Sequence, residues 1–175
     1  MKPKLLLDSH KLLWHLDRLK DWNDGKRIAP VHIDMGLSKD CNLRCLYCYG
    51  KVQKLDRSVI PGDALIRFLK DAAEIGVKSV AMIGDGEPLM NKSVYDAIDA
   101  GYESGLDLSV GTNGVLLKKD KLPEMLKKLV YLRFNISAAE PKSYSFIHQC
   151  PEKCFYSAIE NIKECVKIKK QYGYK

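Results

Sequence analysis

Four short apolar stretches, at residues 31–37, 77–83, 106–111 and 131–137, alternate with segments of helical periodicity at 62–75, 93–104, 123–129 and 152–170. Alternation of this kind builds parallel β-α-β units. Each stretch also runs directly into a loop rich in cysteine, glycine, asparagine or serine. Parallel-sheet and barrel enzymes carry their active sites just past the C-terminal ends of their strands. The expected fold is therefore α/β, with the chemistry on the loops that follow the strands.

Strands covered by helices on both faces are nearly all apolar, and three of these are not. His32 and Asp34 alternate with Val31, Ile33 and Met35; Asp107 and Ser109 alternate with Leu106, Leu108 and Val110. Arg133, Asn135 and Ser137 alternate with Leu132, Phe134 and Ile136. A period of two puts the two sets on opposite faces. One face is expected to meet helices and the other to line a polar cavity, unless the polar groups pair with one another inside a filled barrel. Ahead of the first strand, an amphipathic helix is expected at 9–22. Ser9 caps it, Leu12, Leu13, Leu16 and Leu19 stripe it, and Asn23-Asp24-Gly25 stops it.

The loop after the first strand reads Asp40-Cys41-Asn42-Leu43-Arg44-Cys45-Leu46-Tyr47-Cys48-Tyr49. Its three thiols fall one short of the four ligands that a structural zinc site or an ordinary iron–sulfur cluster takes. Three thiolates can hold three irons of a [4Fe–4S] cube and leave the fourth open. An open position is what separates a reactive metal site from a structural one. The competing arrangement is a zinc knuckle completed by His32, His148 or Cys150.

This C-x3-C-x-aromatic-C run resembles the signature of the radical S-adenosylmethionine (SAM) superfamily. The resemblance implies a [4Fe–4S] cluster on Cys41, Cys45 and Cys48, with SAM chelating the open iron. Reductive cleavage of SAM would then yield a 5′-deoxyadenosyl radical that abstracts hydrogen from a substrate, the cofactors carrying the chemistry. Tyr47 matches the aromatic position near the adenine.

Three further loops resemble the family in the right order. Gly84-Asp85-Gly86-Glu87-Pro88 is similar to its Gly-Gly-Glu-Pro loop, which holds the SAM amino group, with Asp85 in place of the first common glycine. Glycines admit close backbone approach, and the Glu87 carboxylate can accept a charge-assisted bond. Thr112-Asn113-Gly114 resembles the tripeptide that lies near SAM after the third strand, although Asn-Gly is also a common turn pair. Ser137 and Glu140 stand where relatives contact the SAM ribose and carboxylate. The arginine that many relatives use for that carboxylate is missing, so Lys142, Lys153 or Arg133 must replace it or the contact is absent; His148 and Gln149 lie in the same stretch.

The implied architecture is a partial TIM-type (β/α) barrel with about four of the usual six β/α units, preceded by an N-terminal helix. Residues 1–29 read as the helical extension and 30–175 as the core, cut before its last strands. The fourth strand would then expose an unpaired edge.

At 175 residues the chain can bury one core and is too short for two ordinary domains. No run of about 18 apolar residues is present, so no membrane span is expected. The basic start Lys2-Pro3-Lys4 leads into too short an apolar run for a signal segment. A cytoplasmic location follows, where Cys150, Cys154 and Cys165 stay reduced. Cys150-x3-Cys154 is at most a partial second metal site. Tyr144, His148 and Cys150 are candidates for proton or hydrogen-atom transfer, with ordinary packing the competing role for each.

The net charge of +7 lies wholly in residues 118–175, which carry 13 basic and 6 acidic side chains; residues 1–117 balance at 16 each. The lysines there fall at helical spacing, as solvated faces or as a dock for an acidic electron donor such as a flavodoxin or ferredoxin. Nucleic acid is disfavoured, because no aromatic residues interleave as stacking platforms. Family resemblance favours a peptide or protein substrate over a small molecule. The rivals are a non-catalytic iron–sulfur or zinc module and an inactive partner subunit.

Overall fold

The computed structural model describes residues 11–51 and 56–174; the expected Ser9 cap lies outside them. A 3-10 turn, Lys11–His15, leads into helix α1 (Leu16–Asn23), and Gly25 turns the chain at a φ of 76°. No residue of α1 is buried. Arg18 Nη1 donates to the carbonyls of Ala29 and Pro30 at 2.9 and 3.0 Å. The chain divides into a unit ending at Pro30 and another beginning at Val31.

The second unit alternates strand and helix: β1 (His32–Met35), α2 (Gly62–Glu74), β2 (Ser79–Met82), α3 (Val94–Glu103), β3 (Asp107–Thr112), α4 (Leu122–Lys128) and β4 (Leu129–Phe134). Helices α5 (Pro141–His148) and α6 (Lys153–Tyr172) follow. All four strands are parallel and lie in the order β1-β2-β3-β4. Every crossover helix therefore returns the chain to the next position in the sheet, and all four strand ends point the same way.

Burial explains why the helices pack as they do. α2 buries Leu65, Leu69 and Ala72, one stripe of its surface. α3 buries Ala97, Ile98, Ala100 and Gly101; it packs on α2 and on β3, with Gly101 against Leu108, and Val80, Met82, Leu108 and Val110 of the sheet are buried. Each large aliphatic side chain so buried contributes about 1.5–3 kcal/mol. The alternating polar set lies on the other face: His32, Asp34, Asp107, Arg133, Asn135 and Ser137 are exposed. There His32 bridges Ser79 Oγ at 2.7 Å and Asp34 Oδ1 at 3.0 Å.

Two details depart from the sequence reading. β4 begins at Leu129, two residues before the expected strand, and ends at Phe134. The cause is a bulge: Leu108 faces Leu129 but Ser109 faces Tyr131, so Val130 is left over. The second departure is α5, where no helix was expected. Its signal is slight, a proline at the first turn and one inward pair, Tyr144 and His148, four residues apart.

Candidate functional site

The loops leaving β1, β2, β3 and β4 meet at the C-terminal ends of the strands, and they are fastened there by short contacts. Backbone approach comes first. The Cβ that Gly84 lacks would stand 2.9 Å from the Gly36 nitrogen. Gly86 has a φ of 67°, and a Cβ there would collide with the carbonyl oxygens of Ser38 and Asp40. Only glycine combines that dihedral with that proximity. The reward is a backbone bond from Glu87 N–H to the Asp40 carbonyl at 2.9 Å, which joins the β2 loop to the cysteine loop.

Glu87 is 2 % exposed and its carboxylate is engaged within the protein. Oε1 accepts from Thr112 Oγ1 at 2.6 Å and from the Leu89 N–H at 3.2 Å; Oε2 accepts from the Asn113 N–H at 2.8 Å. Burial raises its pKa above the usual carboxylate value, and these three donors oppose the rise. Thr112 is equally buried and also accepts from the Gly114 N–H at 3.0 Å. Asn113 accepts from the Val115 N–H at 3.0 Å and donates to Asn42 Oδ1, in the cysteine loop, at 2.8 Å. These three residues thus brace the loops against one another.

The cysteines lie half-buried within that frame. Cys41 Sγ accepts from the Leu43 N–H at 3.4 Å and stands 4.0 Å from Asn113 Nδ2. Burial pushes its thiol up to about 11, and the neighbouring Glu87, Cys45 and Cys48 add to the rise. Cys45 and Cys48 thus stand near enough to Cys41 to act on its charge. A metal centre that recruits them must displace their protons.

Cys45 Sγ lies 3.0 Å from His148 Nδ1, across 103 residues of sequence. His148 is 1 % exposed, and its Nε2 stands 3.4 Å from the Ser137 backbone N–H. Its ring packs against Tyr144, tilted by 35° with centroids 4.1 Å apart, and meets the edge of Tyr47 at 6.0 Å. Burial lowers its pKa, favouring the neutral ring. Two backbone bonds seal the same seam: Arg44 N–H to the His148 carbonyl at 3.0 Å and Leu46 N–H to the Ile147 carbonyl at 2.8 Å.

The residues left open are fewer than the sequence indicated. Tyr47 is 60 % exposed and its hydroxyl meets Ser137 Oγ at 2.8 Å. Gly84 is exposed, and Asp85 Oδ1 accepts from Tyr49 OH at 2.8 Å. Arg133, Glu140, Lys142, Gln149 and Lys153 are all exposed. Cys150 and Cys154 meet side chain to side chain, and burial pushes the Cys150 thiol up to about 12. The Asn42–Asn113, Tyr49–Asp85 and Cys45–His148 pairs had no signal in the sequence.

Among the described residues no three histidine, cysteine or acidic side chains converge on one metal-ion position. Zinc gathers its ligands around a single ion, whereas a cube takes each thiolate at a separate iron. Three neighbouring soft thiols on one loop are a donor set of the kind that iron–sulfur clusters take.

Residues 35–174 match the model of the Radical SAM superfamily. The GTP 3′,8-cyclase of Helicobacter pylori (strain HPAG1) is 32% identical over 142 residues, 78% of this chain and 43% of that protein. That of Petrotoga mobilis is 32% identical over 144 residues, with the same coverage. The chain thus spans less than half the length of these relatives. Among solved structures, Streptococcus suis SuiB bound to S-adenosylmethionine superposes with a TM-score of 0.68 at 21% identity, over 96% of this chain and 39% of that one. The fold is thus that of a radical SAM partial barrel. On the family match and the sequence relatives together, the chain belongs to the radical SAM superfamily, whose members use a [4Fe–4S] cluster and S-adenosylmethionine.

Proposed function

We propose that this chain carries the cluster- and SAM-binding part of a radical SAM enzyme, with Cys41, Cys45 and Cys48 as the three cluster ligands. The observation that carries the reading is their grouping, half-buried on one loop, at the strand ends where the β2 and β3 loops converge. When bound, the two cofactors supply a one-electron cleavage of the sulfonium and a hydrogen-abstracting radical.

The protein's own residues supply position and shelter. Gly84 and Gly86 let the β2 loop lie against the cysteine loop, leaving backbone and Asp85 to meet the SAM amino group. Glu87, Thr112 and Asn113 fix that loop by internal hydrogen bonds. Exposed Tyr47 and Ser137, already bonded to one another, form the wall for the adenosine. Arg133, Lys142 and Lys153 are the cations open to the SAM carboxylate. An acidic flavodoxin- or ferredoxin-like electron donor is supported by the basic excess of residues 118–175. No helix among the described residues is long and apolar enough to cross a membrane, and a cytoplasmic location suits the free thiols.

A peptide or protein substrate is the finer reading, supported by SuiB, which has also been solved bound to its precursor peptide SuiA. The 32% identity to GTP 3′,8-cyclases favours a purine nucleotide as the second reading.

The test is anaerobic reconstitution with iron and sulfide, then dithionite and SAM, with chromatography for 5′-deoxyadenosine. Product that disappears in Cys45→Ala is the expected result. Zinc in place of iron would support the non-catalytic module, and a cluster that never cleaves SAM would support the inactive subunit. Deuterium transfer into 5′-deoxyadenosine from labelled peptides or from labelled GTP separates the two substrate classes.

A further inference from the structure

Resting on that reading of the cysteines, we propose that His148 donates an Nδ1–H···S hydrogen bond to Cys45 and thereby raises the reduction potential of the cluster. His148 is a positioning and tuning residue, acting through the thiolate.

The tautomer follows from geometry. A backbone N–H is only a donor, and the Ser137 N–H points at Nε2 from 3.4 Å. Nε2 must then be the unprotonated nitrogen, and a neutral imidazole carries its one proton on Nδ1. Nδ1 faces Cys45 Sγ at 3.0 Å, so the proton lies between them. The ring has little freedom to turn away. Tyr144 packs against it at a tilt, Tyr47 meets it edge to face, and the carbonyls of Ile147 and His148 bond to Leu46 and Arg44.

The consequence is electrostatic. Adding an electron to a cluster increases negative charge on its sulfur ligands, and hydrogen bonds to those sulfurs are a principal control of potential. A donor held at Cys45 stabilises the reduced form more than the oxidised form. It also sets Cys45 apart from Cys41, whose side-chain donor, Asn113 Nδ2, stands farther off at 4.0 Å. Reduction of the cluster would be eased by a residue from the loop side of α5, a helix that belongs to none of the four matched motifs.

The test begins with metal-free protein labelled with 15N-histidine, in which NMR reads the tautomer directly. A proton on Nδ1 is expected; a proton on Nε2 overturns the proposal. The cluster is then assembled in wild type, His148→Phe and His148→Asn, and each is titrated against redox dyes with electron paramagnetic resonance of the reduced cluster. His148→Phe keeps a ring against Tyr144 but loses the donor. It should lower the ratio of reduced to oxidised cluster at least tenfold at a fixed potential, about 59 mV for one electron. His148→Asn places an amide N–H near the Nδ1 position and should restore most of the loss, which mere packing would not do. Equal potentials in all three proteins, or equal losses in both variants, would refute the tuning role while leaving the cluster reading intact. Failure of the wild type to take up a cluster would refute both.

Discussion

The carboxylate of Glu87 accepts the backbone N–H of Asn113 at 2.8 Å, so one buried acidic group ties the loop after β2 to the loop after β3. Thr112 Oγ1 reaches the other oxygen of the same carboxylate at 2.6 Å. The loop that the family resemblance assigns to the SAM amino group is therefore held in shape by its own glutamate.

Replacing Glu87 with Gln keeps the shape and turns one acceptor into a donor that faces another N–H. The loss is expected to be about 1–3 kcal/mol in urea unfolding. Its pH dependence is the sharper check. Below the ordinary value of 4.5 both the folded and unfolded chains hold the Glu87 proton; between 4.5 and the raised folded value only the folded chain does. Wild-type stability therefore falls relative to the glutamine variant as pH rises through that window, and the cost of Glu87→Gln should shrink. A cost that grows with pH would show that the ionised carboxylate is favoured by its three donors.

Gly86→Ala should be more damaging than its size implies. The new methyl group meets the carbonyl oxygens of Ser38 and Asp40, both backbone atoms that cannot swing aside, at a φ of 67°. The backbone strain alone costs about 1–2 kcal/mol, and the collision adds to it. Chemical denaturation should show a loss above that figure, and iron uptake should fall because the cysteine loop is displaced. Wild-type stability and iron content in this variant would mean the two loops are not in register as described.

The order of strands and helices was legible because period-two alternation and helical stripes are local. The polar face showed at His32, Asp34, Arg133 and Asn135 for the same reason. Bracing of the site was not legible. Cys45 and His148 are 103 residues apart, and a hydrogen bond between them follows only from where α5 docks. The burial of Glu87 and its three internal hydrogen bonds were likewise hidden, since its residue type suggests only a ligand contact. The bulge at Val130 depends on cross-strand register, which residues 129–134 do not encode alone.

Gln149 occupies the left-handed region at a φ of 49°, closing α5 immediately after His148. A residue with a Cβ pays about 1–2 kcal/mol there relative to an unstrained position, and glycine avoids it. Its side chain makes one exposed bond, Nε2 to the Phe146 carbonyl at 2.6 Å. Gln149→Gly should therefore stabilise the protein by about 1 kcal/mol, seen as a rise in the urea midpoint with an unchanged slope. A fall would show that the Phe146 contact, and not the dihedral, governs this turn.

Tyr144 is fully buried, and its hydroxyl finds no hydrogen-bond partner among the described residues. Burial, with Cys150, Cys154 and Cys45 nearby, holds its pKa far above the ordinary tyrosine value, so the group is a neutral phenol at any physiological pH. Its ring is occupied by packing: it lies against His148 at 4.1 Å, tilted, and meets Phe155 edge-on at 5.5 Å. A buried, unpaired hydroxyl costs about 1–3 kcal/mol, and phenylalanine keeps the ring while removing that cost. Tyr144→Phe is accordingly expected to raise the urea midpoint, by an amount corresponding to about 1 kcal/mol or more, with iron uptake unchanged. A destabilised variant would instead show that the hydroxyl is satisfied by an internal water. Retained stability with loss of 5′-deoxyadenosine formation would assign the phenol a part in the chemistry beside Cys45.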